Sequence, residues 1–262
     1  MVTLPFTIDQ VGYFFLIFVR IVTILALMPI FGAQAVPPQI KVAIALIFTV
    51  LLYTSILKNS FSTMEKFSLT LFGLLVVKEV MVGVAIGFVS SLLFTAIQFA
   101  GRLVDVEMGF GFVQLVDPIS NQTVTVWGQL QVILFTVLFL IINGHYFMLL
   151  AVQRSFELIP LMGAHLPGGK MVFHLVTITS AIFSTALKFA APIYVTLILS
   201  EIALGAVART VPQINIFFVG MPLKIAIGLG TAILALPMLS VLFRASVERL
   251  VQDIWRLLFL MA

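Results

Sequence analysis

Leu74-Leu75-Val76-Val77-Lys78-Glu79-Val80-Met81-Val82-Gly83-Val84-Ala85-Ile86-Gly87 lies inside an apolar segment that runs from Phe67 to Gly101. A barrel strand would alternate apolar and polar positions. This run does not alternate, so it reads as helix. At 1.5 Å per residue the segment would be roughly 50 Å long, well beyond a hydrocarbon core of about 30 Å. It must therefore tilt, kink or project out of a membrane. Gly83 and Gly87 form a G-x-x-x-G pair on one helix face, which lets another backbone approach closely. Ala96, Ala100 and Gly101 extend that small-residue theme, and Gly228 and Gly230 repeat it late in the chain.

The whole chain shares this character. Of 262 residues, 62% are hydrophobic and only 9% are charged. Soluble domains carry about 25% charged residues. The expected fold class is all-α, a polytopic membrane-associated helical protein with about six long apolar segments. Working outward, these are Val11–Ile30, Gln39–Leu57, Phe67–Gly101, Val126–Val152, Met171–Arg209 and Pro222–Phe243. The second follows Val36-Pro37-Pro38, where prolines stop one helix and aim the next. The fifth is overlong and is expected to be interrupted at Pro192. A tail, Arg244–Ala262, reads as an amphipathic helix with an apolar stripe of Leu250, Ile254, Leu257 and Leu258. It is expected to dock on a partner or lie on a membrane surface.

Several function classes drop out. With no cysteine there is no disulfide framework or thiolate metal site. His145, His165 and His174 lack metal-ligand spacing, so no metal and no cofactor is expected. No nucleophile–base constellation is present, and Gly109-Phe110-Gly111 lacks the context of a nucleotide fingerprint, so an enzyme is not expected. The net charge of +4 is spread along the chain, which argues against nucleic acid. Residues Met1 to Gln10 contain no Lys or Arg, so the first apolar segment is expected to stay in the mature protein. The Lys and Arg bias between loops weakly favours cytoplasmic termini.

Charges inside the apolar runs need partners or water, because a charge in hydrocarbon costs a few kcal/mol or more, on the order of 3 by insertion scales. They are Arg20, Lys78, Glu79, Lys188, Glu201 and Lys224. Lys78 and Glu79 are adjacent and point about 100° apart on a helix, so they do not serve each other. They either fix subunit packing or build a proton-coupled site. The second option would make the chain a secondary transporter, with Glu79 or Glu201 carrying the proton.

The connection Gly109-Phe110-Gly111-Phe112-Val113-Gln114-Leu115-Val116-Asp117-Pro118 is unusual. Loops of membrane proteins are normally polar, because their backbone must be solvated. This one is apolar and glycine-rich. Arg102, Asp105 and Glu107 before it read as a hydrated collar, and Ser120-Asn121-Gln122-Thr123 after it is polar. It is either a re-entrant segment packed in the interior or a gate against leakage.

The chain resembles the FliR family of flagellar type III export gate proteins. The resemblance is carried by Arg20, Pro29 and Val36-Pro37, then by Glu79, Gly83 and Gly87. It continues through Ala100-Gly101, Asp105, Gly109 and Asp117-Pro118. Late in the chain come Ala191-Pro192, Leu204-Gly205, Arg209, Val211-Pro212-Gln213-Ile214-Asn215 and Gly220-Met221-Pro222-Leu223-Lys224. It implies a gate subunit at the bacterial inner membrane, in the flagellar basal body. FliP and FliQ would be partners, FlhB would sit at the cytoplasmic side, and unfolded flagellar subunits would be the cargo. Residues 1–170 would be a FliP-like part with a plug loop near 105–120. Residues 171–262 would be a FliQ-like helical hairpin with the tail. Gly109, Phe110, Gly111, Phe112, Val113, Leu115, Val116 and Pro118 would form the plug. Arg20, Lys78, Glu79, Gly83, Gly87, Lys188, Glu201 and Arg209 would serve buried-charge and subunit packing. A virulence-type secretion gate subunit is the sister alternative, and a purely structural nucleator of the basal body is another.

Overall fold

The structure, a computed structural model, describes residues 8–32, 36–60, 69–110, 126–161, 163, 168–213 and 215–262. The described residues are all-helical. In chain order the helices are α1 (Ile8–Leu27), α2 (Pro38–Ser60), α3 (Leu69–Met108), α4 (Val126–Ile141), α5 (Gly144–Leu158), α6 (Gly169–Thr210) and α7 (Ile216–Met261). Four of them, α1, α3, α6 and α7, are long and apolar enough to cross a membrane, and the bent pair α4–α5 would make a fifth span. This is close to the expected count of about six. The difference lies in α2, whose apolar stretch, Pro38–Tyr53, is short.

Three boundaries differ from the sequence reading. The apolar run Val126–Val152 is two helices bent by 68°, not one. The break falls at Asn143, which takes a left-handed conformation with φ 57°, a state Asn tolerates better than most residues. Helix α6 runs through Pro192 without interruption. Helix α7 runs on through Arg244–Ala262, so the amphipathic tail is the last part of a 46-residue helix and not a separate element.

The chain divides into two compact units. The first comprises Met1–Leu92, Asn143–Thr179 and Glu248–Ala262; the second comprises Leu93–Ile142 and Ser180–Val247. Helices α3, α6 and α7 each contribute to both.

In the first unit, α2 packs on α1. Helix α1 buries Leu16, Ile17, Ile21 and Ile24, spaced for one face of a 3.6-residue helix. The tail stripe Leu250, Ile254, Leu257 and Leu258 is buried in this same unit. The ring of His174 lies 3.3 Å from the carbonyl oxygen of Asp253. The tail therefore docks on its own chain. In the second unit an aromatic cluster forms the core. Phe135 meets Phe243 at 4.8 Å and Phe189 at 5.2 Å, and Phe94 meets Phe139 edge-on at 5.7 Å.

Candidate functional site

Two polar constructions stand out, one in each unit. The first begins with Arg20, fully buried on α1. Its Nε donates to Oε2 of Glu79 on α3, which is also fully buried. Its Nη1 donates to the carbonyls of Ser155, at 3.1 Å, and Ile159, at 2.9 Å. These carbonyls lie at the C-terminal end of α5, where the dipole favours a cation; that of Ser155 also accepts the Ile159 N–H at 2.9 Å. The Phe156 ring centroid lies 4.3 Å from Cζ of Arg20, a cation–π distance. One guanidinium thus joins α1, α3 and α5. Nη2 of Arg20 and Oε1 of Glu79 have no hydrogen-bond partner among the described residues.

The same face of α3 continues with Gly83 and Gly87. A Cβ on Gly83 would lie 2.7 Å from Cβ of Thr23 and 3.0 Å from the carbonyl of Arg20. One on Gly87 would lie 2.6 Å from Cβ of Leu27. Glu79, Gly83 and Gly87 therefore form one stripe, four residues apart, against Arg20, Thr23 and Leu27 of α1. The glycines let the backbones close until the ion pair can form. Lys78 points elsewhere and is half-buried, with no ion pair among the described residues.

The second construction is the root of the apolar loop. The sequence suggests a hydrated collar for Asp105, but the residue is 3% exposed. Its two carboxylate oxygens accept from the backbone N–H of Trp127, at 2.7 Å, and Gly128, at 2.9 Å. Those donors belong to the first turn of α4, whose N–H groups have no intrahelical acceptor. One turn earlier on α3, Gly101 sits against the backbone of Gly128, so a Cβ there would overlap Gly128 Cα. The end of α3 and the start of α4 are thereby fastened together.

Gly109 ends α3. It takes φ +89°, donates to the carbonyl of Val106 at 3.1 Å, and Phe110 N–H donates to the carbonyl of Asp105 at 3.0 Å. This pair of bonds is the Schellman stop, for which glycine is favoured because L side chains are strained at positive φ. Gly109 and Phe110 are half-buried. Gly111, Phe112, Val113, Leu115, Val116 and Pro118 lie outside the described residues.

Beside this root is an ion cluster. Lys224 of α7 lies 3.1 Å from Glu201 of α6 and 3.7 Å from Glu107 of α3. Against the expectation of a buried charge, the Glu201 side chain is 61% exposed. Lys188 and Arg209 are also exposed, because the faces of α6 that carry them are not covered by the described residues. Any partner for those two lies beyond the described residues.

A family model described as bacterial export proteins, family 1, matches residues 11–250. The chain belongs to bacterial export protein family 1. Among relatives of this family-1 chain is the flagellar biosynthetic protein FliR of Bacillus subtilis, 31% identical over 90% of this chain and 91% of its own length. The FliR protein of Pectobacterium carotovorum is 30% identical over 88% and 87%. That of Escherichia coli is 28% identical over 84% and 83%. The family-1 match spans both polar constructions.

The sequence pointed to Arg20, Glu79 and the glycines, but could not pair them. It misassigned Asp105, because a carboxylate among Arg102 and Glu107 looks like a collar residue. Its partners lie 22 and 23 residues away, and only a helix start with unmet donors could have hinted at them.

Proposed function

We propose that this chain is a non-enzymatic subunit of the flagellar type III protein export gate, and that its apolar loop plugs the channel. The rooting of the loop carries the reading. Residues 109–118 are apolar and glycine-rich, and leave a helix end that Asp105 ties to the start of the next helix. A seal that must move as one piece needs its two ends tied to each other, as Asp105 ties the end of α3 to the start of α4. Bulky apolar side chains can dewet a constriction, and a channel for unfolded chains needs a seal tolerant of sequence.

The partners would be FliP and FliQ, with FlhB at the cytoplasmic side. Residues 1–170 would pack as a FliP-like part and 171–262 as a FliQ-like part, in the inner membrane at the basal body. The broad apolar exposure of α6 and α7 supports assembly with other subunits. Their apolar stretches are only 17% and 22% buried among the described residues, against 67% for α3. Lys188, Glu201 and Arg209 would then meet charges on neighbouring subunits. The flagellar reading is preferred over a virulence gate because the relatives above carry flagellar names.

Deleting residues 109–118 in cells tests this reading. Native co-purification with the partners should persist, the membrane should become leaky to ions, and motility should fall. Intact assembly without leak would remove the plug assignment.

A further inference from the structure

Three consecutive residues at the end of α3 engage one face of α7. Glu107 faces Lys224 at 3.7 Å. Met108 drives its Cε into the notch left by Gly228. Gly109 lies over Met221, and a Cβ there would be 3.6 Å from Cγ of Met221. Met221, Lys224 and Gly228 are three and four residues apart, so they share one side of α7. The loop root is thus seated on α7 by a socket, a flat contact and an ion pair.

The ion pair is the weak member. Lys224 sits closer to Glu201, at 3.1 Å, than to Glu107. Oε1 of Glu107 is buried and has no hydrogen-bond partner among the described residues. One ammonium therefore serves two carboxylates on two different helices. Charged groups in apolar surroundings cannot simply be abandoned. Here the cation has a second carboxylate already in place.

We propose that Glu107, Lys224 and Glu201 form an exchange latch that releases the end of α3 from α7 when the export gate opens. In the closed state Lys224 bridges both carboxylates. In the open state it remains on Glu201 while Met108 leaves the Gly228 notch and Glu107 moves into the hydrated opening. The inference rests on the gate reading above but concerns a different movement, that of the helix end rather than the loop tip.

The native chain has no cysteine, so a paired substitution gives a clean lock. Cγ of Met108 lies 3.2 Å from the Cβ position of residue 228. In Met108→Cys the sulfur would take nearly that Cγ position, a separation close to that across a disulfide. The same substitution removes the Cε that fills the notch. The full chain carrying Met108→Cys/Gly228→Cys would be expressed with its gate partners. Export of flagellar subunits would be followed with oxidant and then with reductant, and cross-linking by non-reducing gel.

Oxidation should abolish export from an intact complex, and reduction should restore it. Unchanged export with complete cross-linking overturns the proposal. Two uncharged variants give a second readout that does not depend on the lock. Glu107→Gln should raise ion leak, because Lys224 retires to Glu201. Glu201→Gln should lower export without leak, because Lys224 is committed to Glu107. Effects of the same sign would make the cluster a static brace and overturn the exchange. If the lock blocks export while loop deletion causes no leak, the plug assignment falls and the releasable helix end stands.

Discussion

The Arg20–Glu79 pair and the Lys224 cluster are both made of opposite charges in an apolar chain, yet they are built for opposite ends. Arg20 and Glu79 are fully buried, and Arg20 also serves two helix-end carbonyls and an aromatic face. Its contacts come from two other helices, α3 and α5, and among the described residues Glu79 is its one carboxylate partner. Lys224 divides itself between a mostly buried carboxylate and a largely exposed one. The first arrangement fixes a geometry, because a buried charge that loses its one partner is stranded. The second offers the cation two partners, one of which, Glu201, is largely solvated.

The sharpest way to break this contrast is to neutralise each site in turn. Glu79→Ala or Arg20→Met should cost about 3–5 kcal/mol of stability, the penalty for stranding a buried charge. Denaturant-titrated unfolding of the purified chain would read it. The double substitution Arg20→Met/Glu79→Met should recover only part of the loss, because the Ile159 carbonyl still loses the Arg20 donor. Full recovery would mean that the carbonyl contacts contribute little.

Next come the glycine contacts. Gly101→Ala should destabilise by about 1–3 kcal/mol, because the added Cβ meets backbone rather than a yielding side chain. Gly73→Ala, on the same helix with nothing within 4 Å of its Cβ position, should instead stabilise by up to about 1 kcal/mol. Equal effects would remove the case for close helix approach at Gly101. Asp105→Ala should cost about 1–2 kcal/mol, as for loss of a helix cap, and Asp105→Asn less, since one acceptor oxygen remains. Protease sensitivity near the loop root should rise in the same order. The smallest effect belongs to Glu201→Gln, within about 1 kcal/mol of the native stability, because that carboxylate is largely exposed and Lys224 keeps Glu107. A loss as large as that at Arg20 would mean that the two sites are of one kind.

Much of the fold was legible because hydropathy is a local property. The run around Lys78 and Glu79 announced a long helix, and the G-x-x-x-G spacing announced a close contact. The bend at Asn143 was not legible: the sequence there, Leu138-Phe139-Leu140-Ile141-Ile142-Asn143-Gly144, is apolar up to the break. Pro192 misled in the other direction. A proline removes one backbone donor but does not compel a break, and α6 continues through it. The tail stripe was legible as amphipathic, and its partner was not, because a stripe of leucines fits a membrane surface or a protein surface equally well.

Hydropathy alone makes this chain helical, since backbone groups away from water must be paired within their own segment. Packing settles which residues meet. Glu79 finds Arg20 across 59 residues of chain, and Asp105 trades an expected hydrated collar for the first turn of α4. Lys224 stands between Glu107 and Glu201, which lie on two other helices. Periodicity governs which face of a helix is apolar. The pairing of faces depends on side-chain shape and charge brought together by packing, and a linear reading does not contain that information.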